Sequence, residues 1–439
     1  MAVAKLQRLV RIRTVAQVDA QLTDPAPFEE FNQAFTECFP LLTQHLTLTE
    51  IAPHGMLWHW QGKDQAADPV VLMAHIDVVP VQEEDPWSHD AWGGEVIDGA
   101  VWGRGTLDDK GSLVAIAEAV ELLLAEGFVP ARDIYLSFSS DEEVSGTAAP
   151  NAVAHLKQQG VAPWFVLDEG GAVAADAFPG VSAPLAVVGT TEKGTTTLEL
   201  TVKGRGGHAS MPRKMEPAAR LARAILRVDD SPFPTRIPDP TLELFRRITP
   251  HAPWALKPLL ANAAKMRAVV ARALQAAGPE TNAMTRTTAV TTTLRGAPAH
   301  NVIPTSASAA VNIRILVGDT VASVLSHVTK AVNDDQVSIS VHDANEPSPV
   351  SPVDDSAFRL LEQCVEQVFP DAVATPYVVM GATDARHFHA ICPRVYRFTP
   401  FRMSKPQRAS LHSYDEHLGV EDFTAGIRWY RHLIERIPS

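Results

Sequence analysis

An apolar run in the first fifth of the chain reads Val70-Val-Leu-Met-Ala-His75-Ile-Asp77-Val-Val-Pro80. A short, continuous apolar run predicts a buried strand of a parallel sheet. His75 and Asp77 are two residues apart, so on extended chain both side chains leave the same face. A histidine that binds a metal usually donates its other ring N–H to a carboxylate. The pair is therefore a candidate ligand with its orienting partner, although an isolated His-x-Asp also occurs among ordinary surface residues.

Strands and helices alternate from this run onward. Helical apolar spacing over residues 112–125 is followed by a strand-like run at 134–138, a helical stretch near 148–159 and a short apolar run at 164–167. This alternation predicts an α/β domain with a mixed, largely parallel sheet. Ligands of such sheets bind beyond the carboxyl ends of the strands.

Three acidic motifs follow at these strand ends or in the loops beyond them. They are Asp108-Asp109-Lys110, Asp141-Glu142-Glu143 and Asp168-Glu169. Adjacent glutamates on extended chain point in different directions, so one can bind a metal while the other takes a proton from water, as amide hydrolysis requires. Taken singly, the first motif is also an acidic helix start and the second a solvated turn. Together the motifs predict a carboxylate-rich metal site.

The pattern changes after residue 193. Strands with period-two alternation and intervening helices follow the β-α-β-β-α-β order of a ferredoxin-like unit, interrupted by a Pro-rich, weakly patterned stretch at roughly 229–285. A Pro/Ser segment at 345–353 predicts a hinge. We therefore expect a catalytic domain made of residues 1–192 and 344–439, with an inserted α+β domain at 193–343.

Composition excludes several classes of function. The net charge of −13 argues against nucleic acid or an anionic membrane as partner. No run approaches the roughly 18 apolar residues of a membrane span. Basic residues interrupt the apolar positions of the first turns, which excludes a secretory signal there. Cys38, Cys364 and Cys392 form no disulfide framework, so we expect a cytoplasmic protein.

Six motifs carry a resemblance to a known family: Ala74-His-Ile-Asp-Val-Val-Pro80, Gly103-Arg-Gly-Thr-Leu-Asp-Asp-Lys110, Asp141-Glu-Glu143, Val166-Leu-Asp-Glu-Gly-Gly171, Gly206-Gly-His-Ala-Ser210 and His300-Asn-Val-Ile-Pro304. Taken together, they resemble those of the two-zinc metallopeptidase family that includes aminoacylase, succinyl-diaminopimelate desuccinylase and glutamate carboxypeptidase. The chain is most similar to the branch of carboxypeptidase S and the N-fatty-acyl-amino-acid hydrolases. In this family the inserted domain is a lid and dimerisation domain, so the resemblance implies a homodimer.

The resemblance implies two zinc ions per subunit, for which Co2+ or Mn2+ can substitute. His75 and Asp168 hold one ion in this interpretation, with Glu169 as the alternative to Asp168. His412 and Glu143 hold the other ion. Asp108 bridges the two ions.

The resemblance also implies the groups that act on the substrate. Asp77 orients His75, Glu142 is the general base and then the acid, and His208 of the lid stabilises the oxyanion, often across a dimer interface. Asn301 and Arg314 bind the carboxylate of the substrate; the planar guanidinium suits a carboxylate bidentately.

The predicted reaction is hydrolysis of the amide bond of N-acyl-L-amino acids, or of the C-terminal residue of small peptides. A binuclear-metal hydrolase of another ester or phosphoester class is an alternative, but it would need more histidine ligands and basic phosphate-binding groups. A non-catalytic binding protein on the same scaffold is a second alternative, and we would expect it to have lost a ligand or the base.

Overall fold

The large sheet of the protein is built from the first and last parts of the chain. The structure, a computed structural model, describes residues 1–82 and 84–439, apart from the side chain of Glu280. The strands of the first part are β1 (Thr47–Ile51), β2 (Gly55–Trp60), β3 (Val70–His75), β4 (Glu95–Ile97), β5 (Ala100–Trp102), β6 (Ile134–Ser139), β7 (Phe165–Asp168), β8 (Val173–Ala174) and β9 (Leu185–Glu192). The helices of this part are α1 (Ala2–Val10), α2 (Ala26–Cys38), α3 (Pro40–His45), α4 (Lys110–Ala125) and α5 (Ala148–Gln158).

The rest of the chain forms an inserted part and a return to the large sheet. The inserted strands are β10 (Gly194–Lys203), β11 (Gly207–His208), β12 (Thr288–Arg295), β13 (Val302–Ile303), β14 (Ser306–Ile315) and β15 (Val337–Asn345). Its helices are α6 (Pro217–Asp229), α7 (Asp239–Ile248), α8 (Lys257–Ala261), α9 (Arg267–Ala277), α10 (Pro279–Ala283) and α11 (Val321–Val332). The last part contains β16 (Val373–Val379), β17 (Val395–Arg397), β18 (Arg402–Met403) and β19 (His417–Gly419), with α12 (Ser356–Val368), α13 (Ala385–Phe388), α14 (Lys405–Ser410) and α15 (Val420–Arg436).

The large sheet has the strand order β1-β2-β6-β3-β7-β17-β9-β8-β18, and β16 pairs with β9. β3 runs parallel to both β6 and β7. Their carboxyl ends, at His75, Ser139 and Asp168, therefore lie along one edge of the sheet. This arrangement confirms the mixed, largely parallel sheet and the placing of the acidic motifs at that edge.

Helices cover both faces of β3, which explains its continuous apolar sequence. Val70 and Leu72 pack into the apolar cluster that includes α4 and α15. Val71 and Met73 point to the other face and pack with α5 and α13. Because successive side chains alternate between faces, a strand buried on both sides needs apolar residues at every position.

The second sheet has the order β12-β14-β10-β15, and its strands are antiparallel. The buried side chains of α6 and α11 pack against this sheet. Strand order and helix placement confirm the ferredoxin-like arrangement expected for the insertion. The domain boundaries 1–192, 193–343 and 344–439 remain a prediction.

Residues 229–285, whose sequence shows little pattern, contain the short helices α7 to α10. Prolines stand near the starts of three of them, at Pro240, Pro258 and Pro279. Proline suits the first turn of a helix but ends the preceding one, so these helices are too short to display a helical period. Their apolar side chains, Leu244 and Phe245 among them, form a separate buried cluster with Leu185 of β9.

Two structural findings concern membrane spans and the state of the cysteines. Among the described residues, none of the helices has the length and apolar character that a bilayer crossing requires. Cys38, Cys364 and Cys392 are buried thiols outside any disulfide.

Candidate metal centre

Histidines and carboxylates from distant parts of the chain meet beyond the carboxyl ends of β3, β6 and β7. They form two groups, and within each group the ligand atoms lie within 4.8 Å of one another. Asp108 belongs to both groups. The first consists of His75, Asp108 and Glu169, and the second of Asp108, Glu143 and His412.

Asp108 offers one carboxylate oxygen to each histidine. His75 Nε2 lies 2.9 Å from Asp108 Oδ1, and His412 Nε2 lies 3.0 Å from Asp108 Oδ2. The same His412 nitrogen is 3.0 Å from Oε2 of Glu143. Asp108 thus has the position of a carboxylate shared by two ligand groups.

The charges of the site are strongly coupled to one another. Burial alone would raise the pKa of Asp108, but hydrogen bonds with His412 and His75 lower it below its ordinary value. Hydrogen bonds with Asp108 and Glu143 raise the pKa of His412 to about 10. Burial lowers the pKa of His75, yet Asp108 and Asp77 raise it well above the usual range. Each histidine is therefore held where a positive charge is favourable.

The donor set fits divalent metal ions. Oε1 of Glu143 is buried and has no hydrogen-bond partner among the described residues. A buried carboxylate oxygen without a partner is costly unless a cation balances it. Imidazole nitrogens and carboxylate oxygens are ligands that Zn2+ accepts.

Asp77 fixes the histidine of β3 and the turn after β6 at the same time. Its Oδ1 accepts the N–H of Glu142 at 3.1 Å, and its Oδ2 accepts the N–H of Glu143 at 3.0 Å. His75 Nδ1 lies 2.9 Å from the Asp77 carbonyl oxygen and 3.5 Å from the Asp77 carboxylate. The nearer partner of His75 is thus the main chain of Asp77, and either contact leaves Nε2 of His75 facing Asp108.

Glu142 stands beside the ligand groups in the turn that Asp77 holds. Burial raises the pKa of Glu142 well above its ordinary value, and the negative charges of Asp384 and Glu143 act in the same direction. A carboxylate with a raised pKa can take up a proton and keep it near neutral pH. This is the property required of a general base that later acts as an acid.

The expected ligand Asp168 lies outside both groups, and Glu169 occupies the place assigned to it. Oδ2 of Asp168 accepts the N–H of Ala385 at 2.8 Å. Asp168 alternates with Leu167 along β7 and faces the same side as Val166, which packs with α5 and α13. His75 follows Val71 and Met73 on this same face of the sheet, so strand alternation does not decide between the two carboxylates, and the choice between Asp168 and Glu169 stays a prediction.

The predicted substrate-binding residues lie in the inserted part. His208 pairs with Val302 in the β11–β13 ribbon, and the N–H of Ala209 donates to the carbonyl of Asn301 at 3.1 Å. His208 and Asn301 are both exposed. Within the part of the chain that the structure describes, His208 is in neither ligand group.

Arg314 lies on β14, opposite Thr195 of β10. Burial lowers its pKa, and its positive charge contributes to the lowering of the pKa of Lys193 to about 8, of which burial is the main cause. These two basic side chains are therefore neighbours near the crossing from β9 to β10. The roles of Arg314, Asn301 and His208 stay predictions.

A buried acid that the sequence analysis did not single out fixes the His412 loop. Glu416 accepts a hydrogen bond from Arg104 at 2.6 Å and main-chain N–H groups of the 105–108 turn at 2.8 to 3.2 Å. His412 has φ of 57°, a left-handed conformation that a non-glycine residue adopts only under constraint. The acidic motif after His412 was visible in the sequence, but nothing there marked Glu416 as buried.

An apolar cavity of about 440 Å³ opens beside Asp108 and Glu169. Its walls come from residues 169–178, from β9 and β16, and from α7 and α10 with Met284, rather than from the ferredoxin-like sheet. Aliphatic and aromatic side chains dominate them, including Phe178, Leu185, Leu244, Met284, Val379 and Met380.

One family model and several known proteins are similar to this chain. The family model described as peptidase family M20/M25/M40 matches residues 71–436. A probable carboxypeptidase S-like 2 of Dictyostelium discoideum is 35% identical over 412 residues, which cover 93% of this chain and 79% of the relative. The N-fatty-acyl-amino acid synthase/hydrolase PM20D1 of Homo sapiens is 34% identical over 440 residues, or 99% of this chain and 87% of the relative.

Among solved structures, the M20 family metallo-carboxypeptidase Sso-CP2 from Sulfolobus solfataricus superposes with a TM-score of 0.70 at 15% identity. The match covers 99% of this chain and 98% of that chain. At this identity the likeness concerns the fold.

Proposed function

Because the chain belongs to the peptidase family M20/M25/M40, we propose that it hydrolyses the amide bond of N-acyl-L-amino acids or the C-terminal residue of small peptides. Family membership makes it a metallopeptidase-type hydrolase. The names of its relatives, carboxypeptidase S-like and N-fatty-acyl-amino acid synthase/hydrolase, describe these two kinds of substrate. The observation that carries the proposal is the pair of ligand groups that share Asp108.

We assign one metal ion to each ligand group. His75 and Glu169 would hold the first ion and His412 and Glu143 the second, and Asp108 would serve both groups. Mixed nitrogen and oxygen donors suit Zn2+, and Co2+ or Mn2+ accept the same set. When bound, such ions lower the pKa of a water molecule and polarise the scissile carbonyl.

Glu142 moves the proton in this mechanism. It accepts the proton that the attacking water loses and delivers it to the nitrogen of the leaving amino group as the C–N bond breaks. Its raised pKa supports both steps, because the protonated acid persists long enough to act as donor. Asp77 holds the main chain of Glu142 in place during the transfer.

His208 is proposed to donate to the oxyanion, and Asn301 and Arg314 to bind the substrate carboxylate. His208 and Asn301 lie together on an exposed ribbon. Exposure supports a homodimer in which one subunit's His208 serves its partner's site. The cytoplasmic location stays a prediction that rests on composition.

The apolar cavity favours an N-acyl substrate over a polar dipeptide. Its lining is largely aliphatic and aromatic, and each methylene that leaves water for such a site contributes about 0.8 kcal/mol. A charged peptide terminus placed there would lose its hydration without compensation.

The direct experiment is an assay of the metal-free protein reloaded with zinc, cobalt or manganese. N-acyl amino acids, dipeptides and a phosphate monoester are offered in parallel. We expect metal-dependent release of the free amino acid from the N-acyl substrates, with little phosphate release. Phosphate-ester hydrolysis without amide hydrolysis, or no turnover with both ions bound, would contradict the proposal.

A further inference from the structure

The apolar cavity connects the metal centre with the helical segment of residues 239–284. At the metal centre it is lined by Asp108 and Glu169. The helical segment contributes Leu244 from α7, Thr281 from α10 and Met284, which directly follows α10. Residues from both ends of the segment therefore reach the same space.

The side chains of the helical segment that line the cavity are apolar or already hydrogen-bonded within the protein. Leu244 is 2% exposed and Met284 is 9% exposed, and both belong to the apolar cluster around Phe245. The Thr281 hydroxyl donates to the carbonyl of Leu274 at 2.5 Å. The Thr281 hydroxyl is thus hydrogen-bonded within its own helical segment.

Arg408, a basic residue that lines the cavity, donates hydrogen bonds to the main chain. Arg408 donates to the carbonyl oxygens of Ala175 at 3.0 Å and Met403 at 2.7 Å. A polar or charged substrate group would therefore displace existing bonds, whereas an aliphatic chain would disturb none. At about 440 Å³ the cavity has the size of a small-ligand site.

We propose that Leu244 and Met284 determine the length of acyl chain that the enzyme accepts, with the aliphatic chain of the substrate lying in this cavity. This inference rests on the proposed function, since it assumes that the scissile amide lies at the metal centre. Helices α7 and α10, with Met284 directly after α10, are then the specificity element, and the ferredoxin-like sheet plays no part in choosing the acyl group.

The proposal predicts a graded response to chain length. Each added methylene raises kcat/KM about fourfold until the cavity is full, after which kcat/KM stops rising or falls. Met284→Trp and Leu244→Trp fill the cavity and lower kcat/KM for the longest chains at least about tenfold, while N-acetyl substrates change by less than about twofold. Met284→Ala and Leu244→Ala move the optimum to longer chains.

The experiment compares N-acetyl-, N-octanoyl-, N-dodecanoyl- and N-oleoyl-phenylalanine as substrates of the metal-loaded enzyme. Val269→Trp is the matched control, because Val269 lies on α9 of the same segment, is 49% exposed and does not line the cavity. Met284→Phe replaces either tryptophan variant if the larger side chain prevents folding. A uniform loss for all four substrates, or profiles identical to the wild type, would overturn the proposal.

A binding measurement separates this inference from the proposed function. Calorimetric titration with dodecanoate should show binding to the wild type and to Val269→Trp, and at least about tenfold weaker binding to Met284→Trp. If amide hydrolysis fails while this binding pattern holds, the catalytic proposal falls and the cavity assignment stands. Equal dodecanoate binding to Met284→Trp and the wild type, or none to the wild type, would overturn the cavity assignment.

Discussion

Arg104 and Glu416 form a buried salt bridge between residues 312 positions apart, with 2.6 Å between Nη1 and Oε2. The Glu416 carboxylate also accepts main-chain N–H groups of the turn that carries Asp108. The strand β19, which begins one residue later, pairs with β5 and extends the same connection. The loop of His412 is thereby fixed to the loop of Asp108, so two candidate ligands of one group depend on Glu416, which lies in neither ligand group.

Replacing Glu416 with glutamine should weaken metal binding. The variant leaves the Arg104 guanidinium buried without its counter-charge, which costs on the order of 3 kcal/mol of stability, and it loosens His412. We expect a 10- to 100-fold higher metal Kd, roughly the effect of losing a supporting group around a metal site. Competition with a chromogenic chelator measures the Kd, and Glu421→Gln, an exposed change on α15, is the control. An unchanged metal Kd in Glu416→Gln would show that the salt bridge does not position His412.

The place of Glu169, and not the expected Asp168, in the first ligand group gives a prediction about metal content. Glu169→Gln removes a charged oxygen from the first group and should lower the bound metal by about one equivalent per subunit. Asp168→Asn keeps an acceptor for the Ala385 N–H and should retain both equivalents. Elemental analysis of the dialysed proteins gives the two values. Loss of one equivalent in Asp168→Asn, with both equivalents kept in Glu169→Gln, would show that Asp168 is the ligand.

The stability of the protein at acid pH should depend on His387 and His389, which lie at the end of α13. Burial lowers the pKa of His389 to about 3 and that of His387 to about 4, both below the 6.5 of an unfolded histidine. The unfolded state therefore binds these protons first, and the stability present above about pH 6.5 is lost as the pH falls towards about 3.

His389→Gln should accordingly lose less stability than the wild type between about pH 7 and pH 5. One proton contributes at most about 1.4 kcal/mol per pH unit to this difference. Urea unfolding at the two pH values measures it, with the exposed His251→Gln as control. If His389→Gln and the wild type lose equal stability, His389 does not drive the acid response.

The parts of the site that could be predicted are those set by local sequence. His75 and Asp77 stand at the end of the apolar run that forms β3. Glu142 and Glu143 come just after the apolar run that forms β6. Strand ends of a parallel sheet share one edge, so the sequence order of the motifs translated directly into proximity.

The parts that could not be predicted depend on contacts between distant segments. The sequence alone does not choose between Asp168 and Glu169, because both follow the same apolar run and the motif is the same either way. Glu416 owes its role to main-chain donors in the 105–108 turn, which no side-chain pattern reveals. Residues 239–284 show little pattern because α7, α8 and α10 are short and have a proline near their start, so the sequence did not reveal the apolar cavity that α7 and α10 line.

The role of Glu142 is the central claim, and the turnover of metal-loaded Glu142→Gln tests it most directly. The variant keeps the size of the side chain and all five assigned ligands but cannot accept a proton. We predict that it binds as much metal as the wild type and that its kcat for an N-acyl amino acid falls by about 10²- to 10⁴-fold. Turnover close to that of the wild type, with both metal equivalents bound, would contradict the account.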